Sequence, residues 1–216
     1  MLTFHIITLF PESFKSYLST SILSRAIKQK KVVIKFYNPR DFTRSKTFYK
    51  QTDAKPYGGG PGMVMQAEPV LKAVARATQK LKPKTYKLII FSPSGAQFTN
   101  KLAGEWAGKY QHLILICGRY EGIDARVKKV LKAQEVSVGP YVLTGGELPA
   151  MVVVDTASRQ VEGVLGKFDS VEERRVASSE VYTRPEVLVY KKKKYKVPKV
   201  LLSGNHQKIE AWRLNP

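Results

Sequence analysis

Acidic residues are scarce in this chain, and cysteine is almost missing. Seventeen Asp and Glu stand against 37 Lys and Arg, and Cys117 is the single thiol. A lone cysteine excludes an internal disulfide and a multi-cysteine zinc site. The three histidines, His5, His112 and His206, are scattered without H-x-x-x-H spacing and read as packed or surface residues, not ligands. Charges interrupt every apolar stretch well before the roughly 18 residues a membrane span needs, so no membrane partner is expected. The N-terminal MLTFHIITLFPESF has no basic n-region and no small-residue cleavage site. It reads as a first strand instead of a signal peptide, which makes the cytoplasm the expected compartment. Neither G-x-G-x-x-G nor G-x-x-x-x-G-K-[ST] occurs; the nearest pieces, GEWAGKY and GVLGKF, have the wrong spacing for either phosphate loop.

The excess of basic residues is unevenly placed. Residues 25–55 carry ten Lys/Arg against two acids and residues 184–216 carry nine against two, so these windows hold +15 of the +20 net charge. One-signed clustering of this kind is the electrostatic footprint of a nucleic-acid binder. Aromatic residues interleave with the charges at Phe36, Tyr37, Phe42, Phe48, Tyr49 and Tyr195, which favours RNA with unstacked bases.

Apolar runs at FHIITLF, VVIKFY, YKLIIFS, HLILICG and EVSVGPYVL alternate with helical patterns over 11–30, 68–82, 98–110, 123–135 and 145–161. Strands apolar on both faces, alternating with helices, predict an α/β fold with a parallel sheet. Residues 43–67 form a long Gly- and Lys-rich connection, a length that is usually functional in a compact domain. Residues 162–183 are polar and aperiodic and read as a linker; the basic tail beyond reads as a short hairpin or extended segment. Cys117 closes a buried strand and reads as a small core residue.

Two glycine-bearing strings carry the most information. CGRYEGIDARV at 117–127 follows an apolar strand, so Gly118, Arg119, Tyr120, Glu121 and Gly122 fall at a strand's carboxyl end, where open α/β sheets bind ligands. VGPYVLTGGELPAM at 138–151 sets Gly139, Gly145 and Gly146 around aromatic and aliphatic residues. Glycines so placed let backbone N–H and C=O groups approach a flat ligand. Together the strings suggest a nucleotide-type pocket built from backbone.

In order along the chain these residues resemble the bacterial tRNA (guanine-N1)-methyltransferases of the TrmD type, in the SPOUT class. The motifs are TLFPESF (8–14), NPRDFT (38–43), PYGGGPGMVM (56–65), FSPSG (91–95), CGRYEGID (117–124) and VGPYVLTGGELPAM (138–151), then DTASRQVEGVLG (155–166), YTRPEV (182–187) and LLSGNHQKIEAWR (201–213). The resemblance implies methyl transfer from S-adenosylmethionine to N1 of the guanosine just 3′ of the tRNA anticodon. It implies a SPOUT-type sheet with a deep trefoil knot, a homodimer with active sites between subunits, and magnesium as a candidate ion. The implied organisation is a catalytic domain at 1–161, a linker at 162–181 and a short basic tRNA-binding segment at 182–216, truncated relative to the family. Two alternatives within reach are methylation of another tRNA or rRNA nucleotide, and RNA binding without turnover.

Carried over position by position, the donor pocket would be formed by Ser92, Pro93, Gly95, Gly118, Tyr120, Glu121 and Gly122. Val138, Gly139, Pro140, Tyr141, Val142, Leu143, Gly145, Gly146 and Pro149 would complete it. Gly59 and Gly60 would help enclose the base, with Arg184, Lys191, Lys192, Lys193, Lys194 and His206 meeting the RNA. The chemistry needs a base for the guanine N1 proton and a cation for charge growing on O6. The resemblance assigns Arg159 as that cation and Asp169 as the base, with Glu172 and Glu173 as alternatives. Departures from the family pattern are Ile90 and Pro140 in the pocket, Val171 after Asp169-Ser170, and Ala177 or Ser178 at a second acidic position.

Overall fold

The computed structural model describes residues 1–165 and 180–214. The chain forms two compact units, 1–165 and 166–216. In the first, five parallel strands make one sheet: β1 Leu2–Ile7, β2 Val32–Tyr37, β5 Tyr86–Gln97, β6 His112–Ile116 and β7 Gln134–Ser137. Their order is β2-β1-β6-β5-β7. A two-residue pair, β3 Asp53–Ala54 and β4 Val64–Met65, lies within the long 43–67 connection.

Helices cover both faces, which is why the strands read as continuous apolar runs. On one face Phe4, Ile6, Ile89, Leu113 and Leu115 pack with Leu23 and Ala26 of α2 (Ser21–Lys28), Trp106 of α4 (Asn100–Lys109) and Val153, Val154 and Ala157 of α6 (Glu147–Arg159). On the other, Ile7, Ile90, Ile114 and Ile116 meet Val70, Ala73, Val74 and Ala77 of α3 (Ala67–Thr78) and Val127 of α5 (Ala125–Leu131). Thr99 accepts from Leu102 N–H and Asp124 from Arg126 N–H, capping α4 and α5.

Three expected elements are shorter or broken. The helix expected over 11–30 is a 3-10 turn (Pro11–Phe14), a single α turn α1 (Lys15–Leu18) and then α2. Between α1 and α2 the backbone leaves the helix, with Thr20 extended and Ser21 left-handed at φ 48°, while the hydroxyls of Ser19 and Thr20 donate back to the Ser16 and Tyr17 carbonyls. The helix expected over 123–135 stops at Leu131, because Lys132 turns left-handed and β7 begins two residues later. The run EVSVGPYVL is strand only to Ser137, after which Gly139 and Pro140 belong to a loop.

In the second unit, β8 Val187–Tyr190 and β9 Lys193–Lys196 form the hairpin expected of the basic tail. Lys191 and Lys192 make its turn at φ 48° and 64°, the left-handed pair a two-residue hairpin needs. α7 (His206–Leu214) follows, unassigned by the sequence pattern.

The histidines are less independent than their spacing suggested. β1 and β6 pair in parallel, which brings His5 Nε2 and His112 Nδ1 to 3.2 Å, while His5 Nδ1 meets the Tyr37 hydroxyl at 3.1 Å. Burial, with His112 and Lys35 adding positive charge, pushes His5 down to about 4 from 6.5. Folded protein therefore keeps His5 neutral where the unfolded chain takes up a proton, so its contribution, present above pH 6.5, is lost as pH falls towards 4. Chemical denaturation across that range should show a shallower loss of stability for His5→Phe than for wild type; parallel slopes would count against this origin.

Candidate functional site

Three strands end at one place. β5, β6 and β7 point their carboxyl ends to the same edge, and β5 lies between the other two. The chain steps from β5 to β6 on one side and then crosses to β7 on the other, so its direction across the sheet reverses there. Open α/β sheets form ligand crevices at such reversals. A cavity of about 250 Å³ lies at this point.

Its walls are four short segments. After β6, the 118–122 turn is held by Gly122 N–H donating to the Arg119 carbonyl, and Tyr120 adopts φ 59°, uncommon for a tyrosine. β4 braces this turn from outside: Met65 N–H donates to Gly122 and Glu121 N–H to Met63. The 145–146 turn closes against it, with Gly146 N–H donating to the Gly118 carbonyl at 2.8 Å. A Cβ on Gly146 would lie 2.6 Å from the Cys117 Cα, so only glycine allows this approach. The loop from Val138 to Leu143 folds over the third side: Ser137 Oγ donates to the Gly139 carbonyl, and the Tyr141 ring packs directly on Gly139. Among the described residues no partner takes the N–H groups of Tyr141, Val142 or Leu143. Phe91, Ser92 and Pro93 complete the lining from β5.

Of the expected donor-pocket residues, Ser92, Pro93, Gly118, Tyr120, Glu121, Gly122, Val138, Gly139, Tyr141, Val142, Leu143, Gly145, Gly146 and Pro149 all line this cavity. Gly95 and Pro140 do not. Gly95 sits where β5 and β7 shift register, and a Cβ there would strike the Val136 backbone at 2.5 Å; its glycine serves the strand pairing. Pro140 is exposed at the outer bend of the loop. Gly59 and Gly60 lie outside the cavity with open space around them, although the loop they belong to leads into β4. Arg159 ends α6, thirteen residues beyond Gly146 and therefore about 20 Å along the axis. Asp169, Glu172 and Glu173, with Val171, Ala177 and Ser178, lie outside the described residues. Arg184, Lys191, Lys192, Lys193, Lys194 and His206 are exposed on the second unit.

Phe91, Val136, Ser137 and Thr144 also line the cavity and were not singled out; Arg119, placed by the sequence at the ligand-binding end of β6, lines it too. Arg119 Nε stands 2.9 Å from Oε2 of Glu147, a carboxylate buried at the start of α6. An acid in the first turn after a glycine pair was the available signal for Glu147. Burial and the Glu147 charge hold the Cys117 thiol well above its ordinary range, so it stays protonated and is no nucleophile. Among the described residues no three His, Cys, Asp or Glu side chains cluster as metal ligands.

A second hollow of about 720 Å³ shares Val138, Tyr141 and Leu143 with the first and continues along Tyr17, Leu148, Met151, Val152 and Asp155. Tyr141, Val142, Leu148 and Val152 are exposed, an apolar concentration beyond scattered surface residues. The Tyr17 hydroxyl hydrogen-bonds Asp155 at its rim.

The family described as tRNA (Guanine-1)-methyltransferase TrmD matches residues 2–216. A relative from Dictyoglomus turgidum is 48% identical over 217 residues, covering 99% of this chain and 84% of its own length. One from Carboxydothermus hydrogenoformans is 45% identical over 212 residues, covering 96% and 79%. One from Buchnera aphidicola subsp. Acyrthosiphon pisum is 43% identical over 218 residues, covering 99% and 89%. All three bear the name tRNA (guanine-N(1)-)-methyltransferase.

The crowding at Gly146 yields a paired expectation. Gly146→Ala should cost about 1–3 kcal/mol by overpacking, whereas Gly104→Ala, on α4 with its nearest neighbour 3.8 Å away, should gain roughly 0.4–1 kcal/mol. Thermal unfolding of both variants decides it, and equal shifts would refute the steric account.

Proposed function

Because the chain belongs to the tRNA (guanine-1)-methyltransferase family of the TrmD type, we propose that it methylates N1 of the guanosine on the 3′ side of the tRNA anticodon, with S-adenosylmethionine as donor. The observation that carries this reading is the backbone-walled cavity at the ends of β5, β6 and β7. Its residues suit a bent nucleoside sulfonium. Unpartnered N–H groups of Tyr141, Val142 and Leu143 offer donors to the edge of a flat heterocycle. Phe91, Val138 and Leu143 give it apolar walls, and the glycines at 118, 122, 139, 145 and 146 keep side chains out of its space. When bound, the donor supplies a methyl group activated by a positively charged sulfur.

The protein's own task is then placement and proton handling. Holding guanine N1 in line with the methyl carbon contributes roughly 7–11 kcal/mol, and a placed base about 10²–10⁴-fold. We assign Asp169 to accept the N1 proton and Arg159 to neutralise charge growing on O6. Magnesium stays a candidate ion, and no step is routed through it.

Arg159 lies too far along α6 to serve the cavity of its own protomer, which favours a homodimer with sites between subunits. Leu148, Val152, Asp155 and Arg159 follow one another at spacings of four, three and four residues, so they share one stripe of α6. A second copy seated on the apolar surface around Tyr141, Leu148 and Val152 would bring that stripe, and Arg159 with it, to the partner's cavity. A deep trefoil knot in this part of the chain belongs to the same proposal. We assign residues 1–161 to donor binding, 162–181 to delivery of the base, and 182–216 to tRNA contact through Arg184, the lysines at 191–194 and His206. Gly59 and Gly60 would approach the base from the β4 side. A tRNA substrate favours the cytoplasm as the compartment.

Labelled donor should transfer its methyl only to transcripts carrying G after the anticodon, giving N1-methylguanosine by mass spectrometry. Transfer to transcripts lacking that G, or to rRNA, would redirect the activity to another nucleotide, and binding without transfer would reduce the protein to an RNA binder. Asp169→Asn should lower turnover about 10²–10⁴-fold while donor affinity holds. Mixing inactive Arg159→Ala protomers with cavity-filled Ser92→Trp protomers should restore activity if the arginine acts across the interface. No recovery in verified mixed dimers would place it within one subunit.

A further inference from the structure

We propose that Glu147 is a positioning residue for donor binding, acting through Arg119 to hold the 118–122 turn against the 145–146 turn. The inference rests on the reading of the cavity as the donor site, and it concerns a closed circuit of contacts beneath that site.

Glu147 begins α6 and is 3% exposed. A helix start favours a carboxylate, but burying one is costly unless partners surround it. Two do. Thr8 Oγ1, fully buried beyond the end of β1, donates to Glu147 Oε1 at 2.7 Å, and Phe10 N–H donates to that same hydroxyl at 3.0 Å. On the other side, Arg119 Nε stands 2.9 Å from Glu147 Oε2, and the guanidinium lies over the Phe10 ring at 4.6 Å. The contacts run from Phe10 through Thr8, Glu147 and Arg119 and back to Phe10. They tie the end of β1, the turn after β6 and the start of α6 together. Gly145 is built into the same knot of atoms: a Cβ there would lie 2.5 Å from Arg119 Nε and 2.7 Å from Glu147 Oε2.

Three features point to positioning beyond mere stability. Well-packed apolar residues can replace a buried ion pair without loss of stability, so the fold alone does not require one. Arg119 lines the cavity, whereas Thr8, Phe10 and Glu147 do not, so they act on the ligand only through it. Tyr120, the next residue, holds a left-handed conformation that persists only where neighbours over-determine it. The Arg119 N–H is not aimed at the carboxylate oxygen despite the short separation. Charge, more than hydrogen-bond direction, therefore holds the arginine, and removing the charge alone should release it.

The test uses the full chain with Glu147→Gln, Arg119→Gln and the double variant. S-adenosylhomocysteine affinity is measured first on wild type, followed by donor KM and kcat on all. Each single change should raise the donor KM about tenfold or more with kcat within about threefold, and the double should match the worse single because the two act as one unit. Additive effects, an unchanged KM, or a loss confined to kcat would overturn the proposal. Thr8→Val, which removes only the hydroxyl relay, should raise KM in the same direction with its melting temperature within a few degrees of wild type; an unchanged KM there would overturn it even if Glu147→Gln fails to fold. Absence of saturable binding in wild type would remove the donor-site reading and this proposal with it. Wild-type binding with unaffected variants would remove the proposal alone.

Discussion

One backbone hydrogen bond organises the functional end of the sheet: Gly146 N–H to the Gly118 carbonyl, 2.8 Å, with no room between the two turns for a methyl group. It joins the segment after β6 to the segment that enters α6, two stretches separated by α5 and β7. The 138–143 loop folds over the remaining side, where the N–H groups of Tyr141, Val142 and Leu143 have no partner among the described residues. The cavity follows from this approach more than from any single side chain. A backbone-lined site can hold a flat, polar ligand by donors that are fixed before binding, which lowers the entropic cost of ordering them.

Much of this was legible in the chain because the relevant signals are local. Strands buried on both faces read as unbroken apolar runs, and β1, β6 and the start of β5 are such runs. Glycines clustered after a strand announced the two turns. What failed to show was set by register and by distance in sequence. His5 and His112 are 107 residues apart and meet only because β1 pairs with β6. Thr8 and Glu147 are 139 apart, and nothing in either neighbourhood predicts the contact. The helix expected over 11–30 is interrupted where Thr20 is extended and Ser21 left-handed, and the Ser19 and Thr20 hydroxyls bond the preceding carbonyls, local features that periodicity does not register. Gly95 was expected in the pocket; it lies outside the cavity lining, where β5 and β7 shift register. Arg159 ends α6, so the length of that helix separates it from the cavity of the same chain.

Both units carry clustered basic charge, +8 over residues 25–55 and +7 over residues 184–216. In the second unit the lysines at 191–194 crown a hairpin, with Tyr190 beneath Lys191, and they present positive charge with little built shape. Exposed lysines of this kind, where they meet nucleic acid, give salt-dependent attraction for phosphate and carry no sequence information themselves. The first unit keeps its glycine turns and buried carboxylate at the opposite extreme, where ångström-level placement matters. The family's N1-methylguanine chemistry requires both: a long polyanion to capture and a small reactive geometry to hold.

The central claim is that the backbone around the 118–122 and 138–146 segments holds the methyl donor. Hydrogen–deuterium exchange of the intact protein, with and without saturating S-adenosylhomocysteine, tests it most directly. The account predicts slowed exchange at the amides of Tyr141, Val142 and Leu143 and in the 118–122 turn, with little change on α3 or the Lys191 hairpin. Saturable binding that leaves those amides exchanging at their free rate, or protects a different face of the sheet, would contradict it.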